Sequence, residues 1–202
     1  MRWPKLRELK EAVTVVFSPR FTTRFPAEPH EAPESYRGKA EFDTDLCVGC
    51  GACVNVCPTE ALSQTDIVDA DRSVRKITYR YDACIFCGNC QDKCTTEKGI
   101  KLTNEWDLAT LDRSQTVEDH EFELQLCEKC GEVIGTKKHL VWLAEKLGPL
   151  AYPNPSLLLA KNKDLLSGEE PARSEISPES PDATDFMRIL CPKCKSELNI
   201  RL

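Results

Sequence analysis

Cys47-Val48-Gly49-Cys50-Gly51-Ala52-Cys53-Val54-Asn55-Val56-Cys57-Pro58 and Cys84-Ile85-Phe86-Cys87-Gly88-Asn89-Cys90-Gln91-Asp92-Lys93-Cys94-Thr95 hold eight of the chain's twelve cysteines. Both stretches read C-x2-C-x2-C-x3-C. This spacing wraps three thiolates of one tight loop around a cubane 4Fe-4S cluster. Where two such runs share a chain, the fourth cysteine of each ligates the other cluster. We therefore assign Cys47, Cys50, Cys53 and Cys94 to a first cluster, and Cys84, Cys87, Cys90 and Cys57 to a second. In that crossing, each cluster staples the two halves of the stretch together. Pro58 follows the fourth cysteine of the first run and Thr95 that of the second; the change removes a rigid turn but no ligand.

The rest of the composition fits this chemistry. Twelve cysteines in 202 residues suit either a secreted disulfide scaffold or an intracellular metalloprotein. Paired C-x2-C spacings favour metal, because they form a natural metal-gripping knuckle. The apolar run nearest the N-terminus, Ala12 to Phe17, contains Thr14 and is too short for a secretory core. No stretch approaches the ~20 apolar residues that span a bilayer. The expectation is a soluble chain in a reducing compartment, with any membrane association peripheral. A net charge of −6 argues against nucleic-acid binding, whose footprint is clustered basic residues. Residues 1–24 depart from that average, with Arg2, Lys5, Arg7, Lys10, Arg20 and Arg24 against Glu8 and Glu11.

On the N-terminal side, Leu6, Leu9, Val13 and Val16 recur at helical spacing over residues 5–17. Pro4 suits the first turn of such a helix and Pro19 lies just past its end. A basic amphipathic helix of this kind docks on a partner subunit or lies on anionic lipid; the bland alternative is packing on its own domain. Phe21 to Ala40, with Pro26, Pro29 and Pro33, reads as an extended arm, or else as a linker. Residues 1–40 thus precede an iron–sulfur core at 41–115. Strand-like leads at Ala40-Glu41-Phe42 and Ile77–Tyr81 enter the two runs. Short helical turns follow Cys53 and Cys90, and strands at Ala61-Leu62 and Gly99–Leu102 leave them. These make two βαβ-like halves related by a pseudo-twofold, with a hairpin over residues 65–81 around Asp69-Ala70-Asp71-Arg72. Gly51, Gly88 and Ala52 let backbone N–H groups approach cluster sulfurs.

Residues 116–202 have a different character. Glu121 to Leu126 alternates like a strand and leads into Cys127-Glu128-Lys129-Cys130. Phe186 to Leu190 leads into Cys191-Pro192-Lys193-Cys194, with Glu197 to Ile200 as a further short strand. Two strand–knuckle–strand units make the four thiolates of a tetrahedral ribbon site: Cys127, Cys130, Cys191 and Cys194. Zinc is the first choice; a single iron fits the same donors, and two disulfides are a poor third. The long separation of the knuckles is tolerable, since doubling a loop costs only about 0.6 kcal/mol. The insertion at 136–185 holds a helix from Thr136, as cap, to Leu147 with Gly148 as terminator, a second near Ser156–Leu166, and a proline-rich linker at 167–185. The fold class is α+β: a two-cluster domain with an N-terminal helix and arm, and a zinc-ribbon-like module with a helical insertion.

No catalytic constellation stands beside the metal sites. There is no phosphate-binding glycine loop. His30, His120 and His139 are scattered, and His139 reads as a surface or packing residue rather than a ligand. Assigning all twelve cysteines as ligands leaves no free nucleophile, so no catalytic centre of its own is expected.

The double motif, with the N-terminal helix and Tyr36-Arg37-Gly38 ahead of it and Asn104-Glu105-Trp106-Asp107-Leu108-Ala109 after it, resembles a group of two-cluster ferredoxin subunits. These occur in respiratory complex I and in membrane-bound NiFe hydrogenases, including formate hydrogenlyase. The resemblance covers roughly residues 1–115. The C-terminal four-cysteine extension looks more like the hydrogenase version than that of complex I. The resemblance implies an electron relay on the cytoplasmic side of the cytoplasmic membrane. Electrons would enter from a donor subunit such as formate dehydrogenase, cross both clusters, and leave to the hydrogenase small subunit and the NiFe site beyond it. The equivalent complex I subunit, a freely diffusing ferredoxin carrier and a nucleic-acid adaptor are the competing readings. The N-terminal helix and arm argue against the carrier, and the acidic balance against the adaptor.

Overall fold

The computed structural model describes residues 5–19, 22–69, 72–162 and 188–200. The chain divides into two units, Met1–Ser35 and Tyr36–Leu202. In the first, α1 spans Leu6–Phe17. The Glu8 carboxylate accepts the Lys5 N–H at 3.1 Å and so satisfies one donor at the helix start. Ser18, ahead of Pro19, is extended, as the residue before a proline prefers to be. No residue of α1 is buried, so the stripe of Leu6, Leu9, Val13 and Val16 lies open. Pro4 lies outside the described residues.

In the second unit, β1 (Ala40–Phe42) enters the first cysteine run, α2 (Ala52–Asn55) turns within it, and β2 (Leu62–Val68) leaves it. The same pattern repeats as β3 (Ser73–Arg80), α3 (Asn89–Asp92) and β4 (Ile100–Leu102). The pairing is crossed. β1 lies antiparallel to β4 with Phe42 opposite Ile100, while β2 lies antiparallel to β3 with Leu62 opposite Tyr79. The β2–β3 hairpin begins three residues earlier than the pattern predicts. Asp69 and Arg72 close it with an N–H···O bond of 2.9 Å; its tip, Ala70-Asp71, lies outside the described residues. Ala40, Phe42, Leu62, Ile77, Tyr79, Ile100 and Phe122 form the core beneath the two runs. α2 packs against α3 across the pseudo-twofold.

Gly38 explains why Arg37-Gly38 and the Asn104–Ala109 segment occur together. Its N–H donates to the Thr103 carbonyl at 2.8 Å, and Lys39 N–H donates to the Glu105 carbonyl at 2.9 Å, extending the β1–β4 ladder. A Cβ at residue 38 would lie 2.1 Å from the Glu105 carbonyl oxygen, a backbone atom that cannot step aside. Gly38→Ala is therefore expected to cost about 3 kcal/mol, read as a lower melting temperature of the full chain. An unchanged melt would refute this close packing.

The division drawn at residue 115/116 falls inside continuous structure. A 3-10 turn at Arg113–Thr116 runs directly into β5 (Val117–Leu126), which pairs antiparallel with β3 and places His120 opposite Ile77. β6 (Val133–Thr136) then pairs with β5, completing a four-stranded sheet of order β2-β3-β5-β6. Phe122 and Leu124 face inward and are buried. The His120 ring stacks on Phe42 at 4.5 Å, and burial holds its pKa below the usual histidine value.

α4 (Lys137–Leu147) begins as expected at Thr136, whose hydroxyl accepts the His139 N–H at 3.2 Å, and ends at Gly148. A second 3-10 turn (Gly148–Ala151) leads to α5 (Pro155–Asn162), and Ala144, Ala151 and Leu157 form a small core between them. The proline-rich stretch 167–185 and Phe186-Met187 lie outside the described residues. The second half of the expected ribbon is different. Arg188, Ile189 and Leu190 form no strand, and Glu197 to Ile200 belong to α6 (Pro192–Ile200), not to a strand. Pro192 favours this outcome, because its fixed φ suits the first turn of a helix and it cannot donate to a ladder.

Candidate metal centres

Each cysteine run curls around its own cavity, and each cavity is completed by a cysteine from the other run. Cys47, Cys50 and Cys53 line one cavity together with Cys94. Cys84, Cys87 and Cys90 line the other together with Cys57. The sharp turns come from Gly51 and Gly88, which start α2 and α3 with φ of 77° and 86°. These left-handed values cost a residue with a Cβ. Phe42, Ile77 and Ile100 wall the first cavity with apolar surface, and Leu62, Tyr79 and Leu102 wall the second.

Burial and hydrogen bonding shift some of these thiols in opposite directions. Burial pushes Cys53 up to about 12 and Cys90 up to about 11, with neighbouring cysteines adding to the effect. Such buried thiols ionise only when a nearby cation compensates the charge, as the irons of a cluster do. The two fourth cysteines behave differently. At Cys57 burial acts upward but is outweighed by the backbone N–H groups of Leu62, Thr59 and Ala61 and the Thr59 hydroxyl. At Cys94 it is outweighed by the Thr96 hydroxyl and the N–H groups of Thr96, Gly99 and Ile100. Both thiols are lowered. Thr59 and Thr96 stand two residues after their cysteines, with Oγ1 at 3.8 and 3.5 Å from the sulfurs. This Cys-x-Thr repeat is visible in the sequence and was not singled out there.

Arginines hold the loops from behind. Arg37 donates to the Cys87 carbonyl at 3.0 Å. Arg75 donates to the Gly49 carbonyl at 3.3 Å while its other nitrogens grip Asp66 at 2.7 and 2.8 Å. The bidentate pair fixes the guanidinium plane and holds the Asp66 carboxyl below its usual range.

The third centre gathers Cys127, Cys130, Cys191 and Cys194, whose sulfurs all lie within 4.8 Å of one another. Cys130 and Cys191 sulfurs are 3.7 Å apart. A tetrahedron with metal–sulfur bonds of about 2.3 Å has sulfurs about 3.8 Å apart, so the set is shaped for one ion. At Cys127 burial acts upward, yet the N–H groups of Cys130, Cys191 and Lys129 bring the thiol down to about 7. The first knuckle is a strand hairpin, β5–β6, and the second is a loop leading into α6. α5 holds that second knuckle in place: the Ser156 hydroxyl donates to the Arg188 carbonyl at 3.2 Å and accepts the Leu190 N–H at 3.3 Å. Lys195 donates to the Asn154 side chain at 3.0 Å. The sequence pattern did not disclose these clamps, which join residues more than thirty apart. His139 lies on α4 beside Trp142, away from the four sulfurs.

Comparison with known proteins bears on the cysteine runs first. Residues 46–98 match the 4Fe-4S dicluster domain family. Over 120 residues the chain is 36% identical to formate hydrogenlyase subunit 6 of Escherichia coli (strain K12), covering 59% of this chain and 64% of that protein. Over 100 residues it is 39% identical to NAD(P)H-quinone oxidoreductase subunit I of Picosynechococcus sp., covering 46% of this chain and 47% of that one. Among solved structures, a chain of the archaeal membrane-bound sulfane sulfur reductase superposes with a TM-score of 0.40 at 24% identity, over 57% of this chain and 61% of that one. The chain thus spans less than two thirds of the length of these curated relatives. Residues 46–98, which carry the eight cysteines of the two four-thiol cavities, match the 4Fe-4S dicluster domain, and the chain is similar to formate hydrogenlyase subunit 6 and to NAD(P)H-quinone oxidoreductase subunit I.

Proposed function

We propose that the chain relays electrons through two 4Fe-4S clusters within a membrane-bound NiFe hydrogenase complex of the formate hydrogenlyase type. The observation that carries this reading is the pair of four-cysteine cavities, each closed by a cysteine of the opposite run. The ligand sets are Cys47, Cys50, Cys53 and Cys94 for the first cluster, and Cys84, Cys87, Cys90 and Cys57 for the second. When bound, such clusters supply one-electron transfer. The chain's own part is to place and shield them. Phe42, Ile77 and Ile100 keep water from the first, Tyr79 and Leu102 from the second, and the Thr59 and Thr96 hydroxyls point at the crossing sulfurs. Cys127, Cys130, Cys191 and Cys194 hold one zinc as a closed structural site, with a single iron as the other metal that fits.

The similarity to formate hydrogenlyase subunit 6 supports a choice of partners. They are the small and large hydrogenase subunits on the acceptor side and an electron-donor subunit on the other, on the cytoplasmic side of the membrane. No helix among the described residues is long and apolar enough to cross a membrane, so contact with the bilayer is peripheral or made through membrane subunits. The open apolar stripe of α1 supplies a docking surface that a diffusing carrier does not need. The kinship to subunit I proteins supports a second assembly, the peripheral arm of a complex I-type quinone oxidoreductase. Affinity isolation of the full chain from its native membranes in mild detergent separates these readings. Hydrogenase subunits are expected in the eluate; quinone oxidoreductase subunits in their place would favour the second assembly, and a soluble free monomer would overturn both.

A further inference from the structure

The first cysteine loop is held by the C-terminal part of the chain. The Val48 carbonyl, next to Cys47, accepts a hydrogen bond from the Thr136 hydroxyl. Thr136 is fully buried, and its oxygen also accepts the His139 N–H, so the hydroxyl is satisfied in both roles. Two residues on, the Lys138 ammonium donates to the Thr44 carbonyl at 2.8 Å, three residues ahead of Cys47. Phe122 of β5 packs on Gly49 in the same loop. The second loop takes its long-range hydrogen bond from the other direction, from Arg37. Thr136 is also the last residue of β6, which starts three residues after the Cys130 knuckle.

From this asymmetry we propose that Thr136 is a positioning residue for the first cluster alone, through which the four-cysteine segment braces the Thr44–Cys50 loop. The inference rests on the assignment of a cluster to each cavity. Removing the hydroxyl orphans the carbonyl of a buried residue next in sequence to a ligand, and the loop then opens more often. The second loop has no such dependence.

The test compares full-length protein, Thr136→Val and Thr136→Ser, with release of iron to a chelator followed by EPR of the reduced clusters. Cys50→Ser identifies the signal of the first cavity, because an oxygen ligand alters it. In Thr136→Val the first cluster should be lost about tenfold faster, the order expected for one orphaned buried group, while the second keeps its rate. Thr136→Ser should restore the slow rate. Equal acceleration of both clusters, or of neither, would overturn the brace. Should Thr136→Val fail to fold, Lys138→Met asks the same question through the Thr44 carbonyl, with about a threefold effect on the first cluster expected and no selectivity counting against the proposal. Wild-type protein lacking two distinguishable cluster signals would instead refute the cluster assignment itself.

Discussion

Cys94→Ala is expected to abolish the cluster of the first run while the second run, in which Cys94 itself lies, keeps its own. Iron should fall by about half, from roughly eight to roughly four per chain. EPR should lose the signal that belongs to Cys47, Cys50 and Cys53. The argument is spatial: Cys94 lines the first cavity and Cys57 the second, so sequence neighbours part company. The N–H groups of Thr96, Gly99 and Ile100 hold the Cys94 thiol ready to ionise at that cavity. Cys57→Ala should give the mirror image and spare the first cluster. If either variant lost the cluster of its own run instead, the crossed assignment would be wrong. Loss of both clusters in each variant would mean that one cluster cannot stand without the other, and the crossing would then be settled by which is lost first on mild oxidation.

The second large effect concerns the third centre. Cys191→Ser, or treatment with a strong chelator, should remove one zinc per chain and unfold residues 188–200 locally. The sulfur tetrad joins α6 and the Ile189-Leu190 stretch to the β5–β6 hairpin. Metal binding in such small segments is worth about 10–16 kcal/mol at neutral pH, most of it spent on folding. Hydrogen exchange should show lost protection over α6 and the second knuckle, whereas β5, laddered to β3, stays protected. Retained protection in α6 after metal loss would show that Ser156 and Asn154 suffice to hold it. A visible absorption band lost with the metal would identify iron in place of zinc.

The metal chemistry was legible because spacing alone defines it. Two repeats of four cysteines, and two C-x2-C pairs, name the candidate ligands before any fold is known, and the fold brings each set together. Local signals also read well: Thr136 and Gly148 bound α4, and a hydrogen bond between Asp69 and Arg72 closes the β2–β3 hairpin. What escaped was non-local. No residue in Val117–Leu126 announces that its partner is β3, since strand pairing is decided by the packing of Phe122 with Ile77, Tyr79 and Phe42. α6 escaped because residues 197–200 are too short to carry a period, and Pro192 started a helix there. The bond from Thr136 to Val48 joins positions 88 apart and leaves no trace in either neighbourhood.

The crossed ladders carry a consequence for biosynthesis. Among the described residues β1 pairs with β4 alone, so Ala40 waits for Leu102, about 60 residues later on the ribosome. At about 5–20 residues per second that interval is roughly 3–12 s, during which the first cysteine loop has emerged without its closing strand or Cys94. A cofactor donor acting before residues 94–102 have appeared would meet a three-thiol half-site, and one acting after them a finished pair.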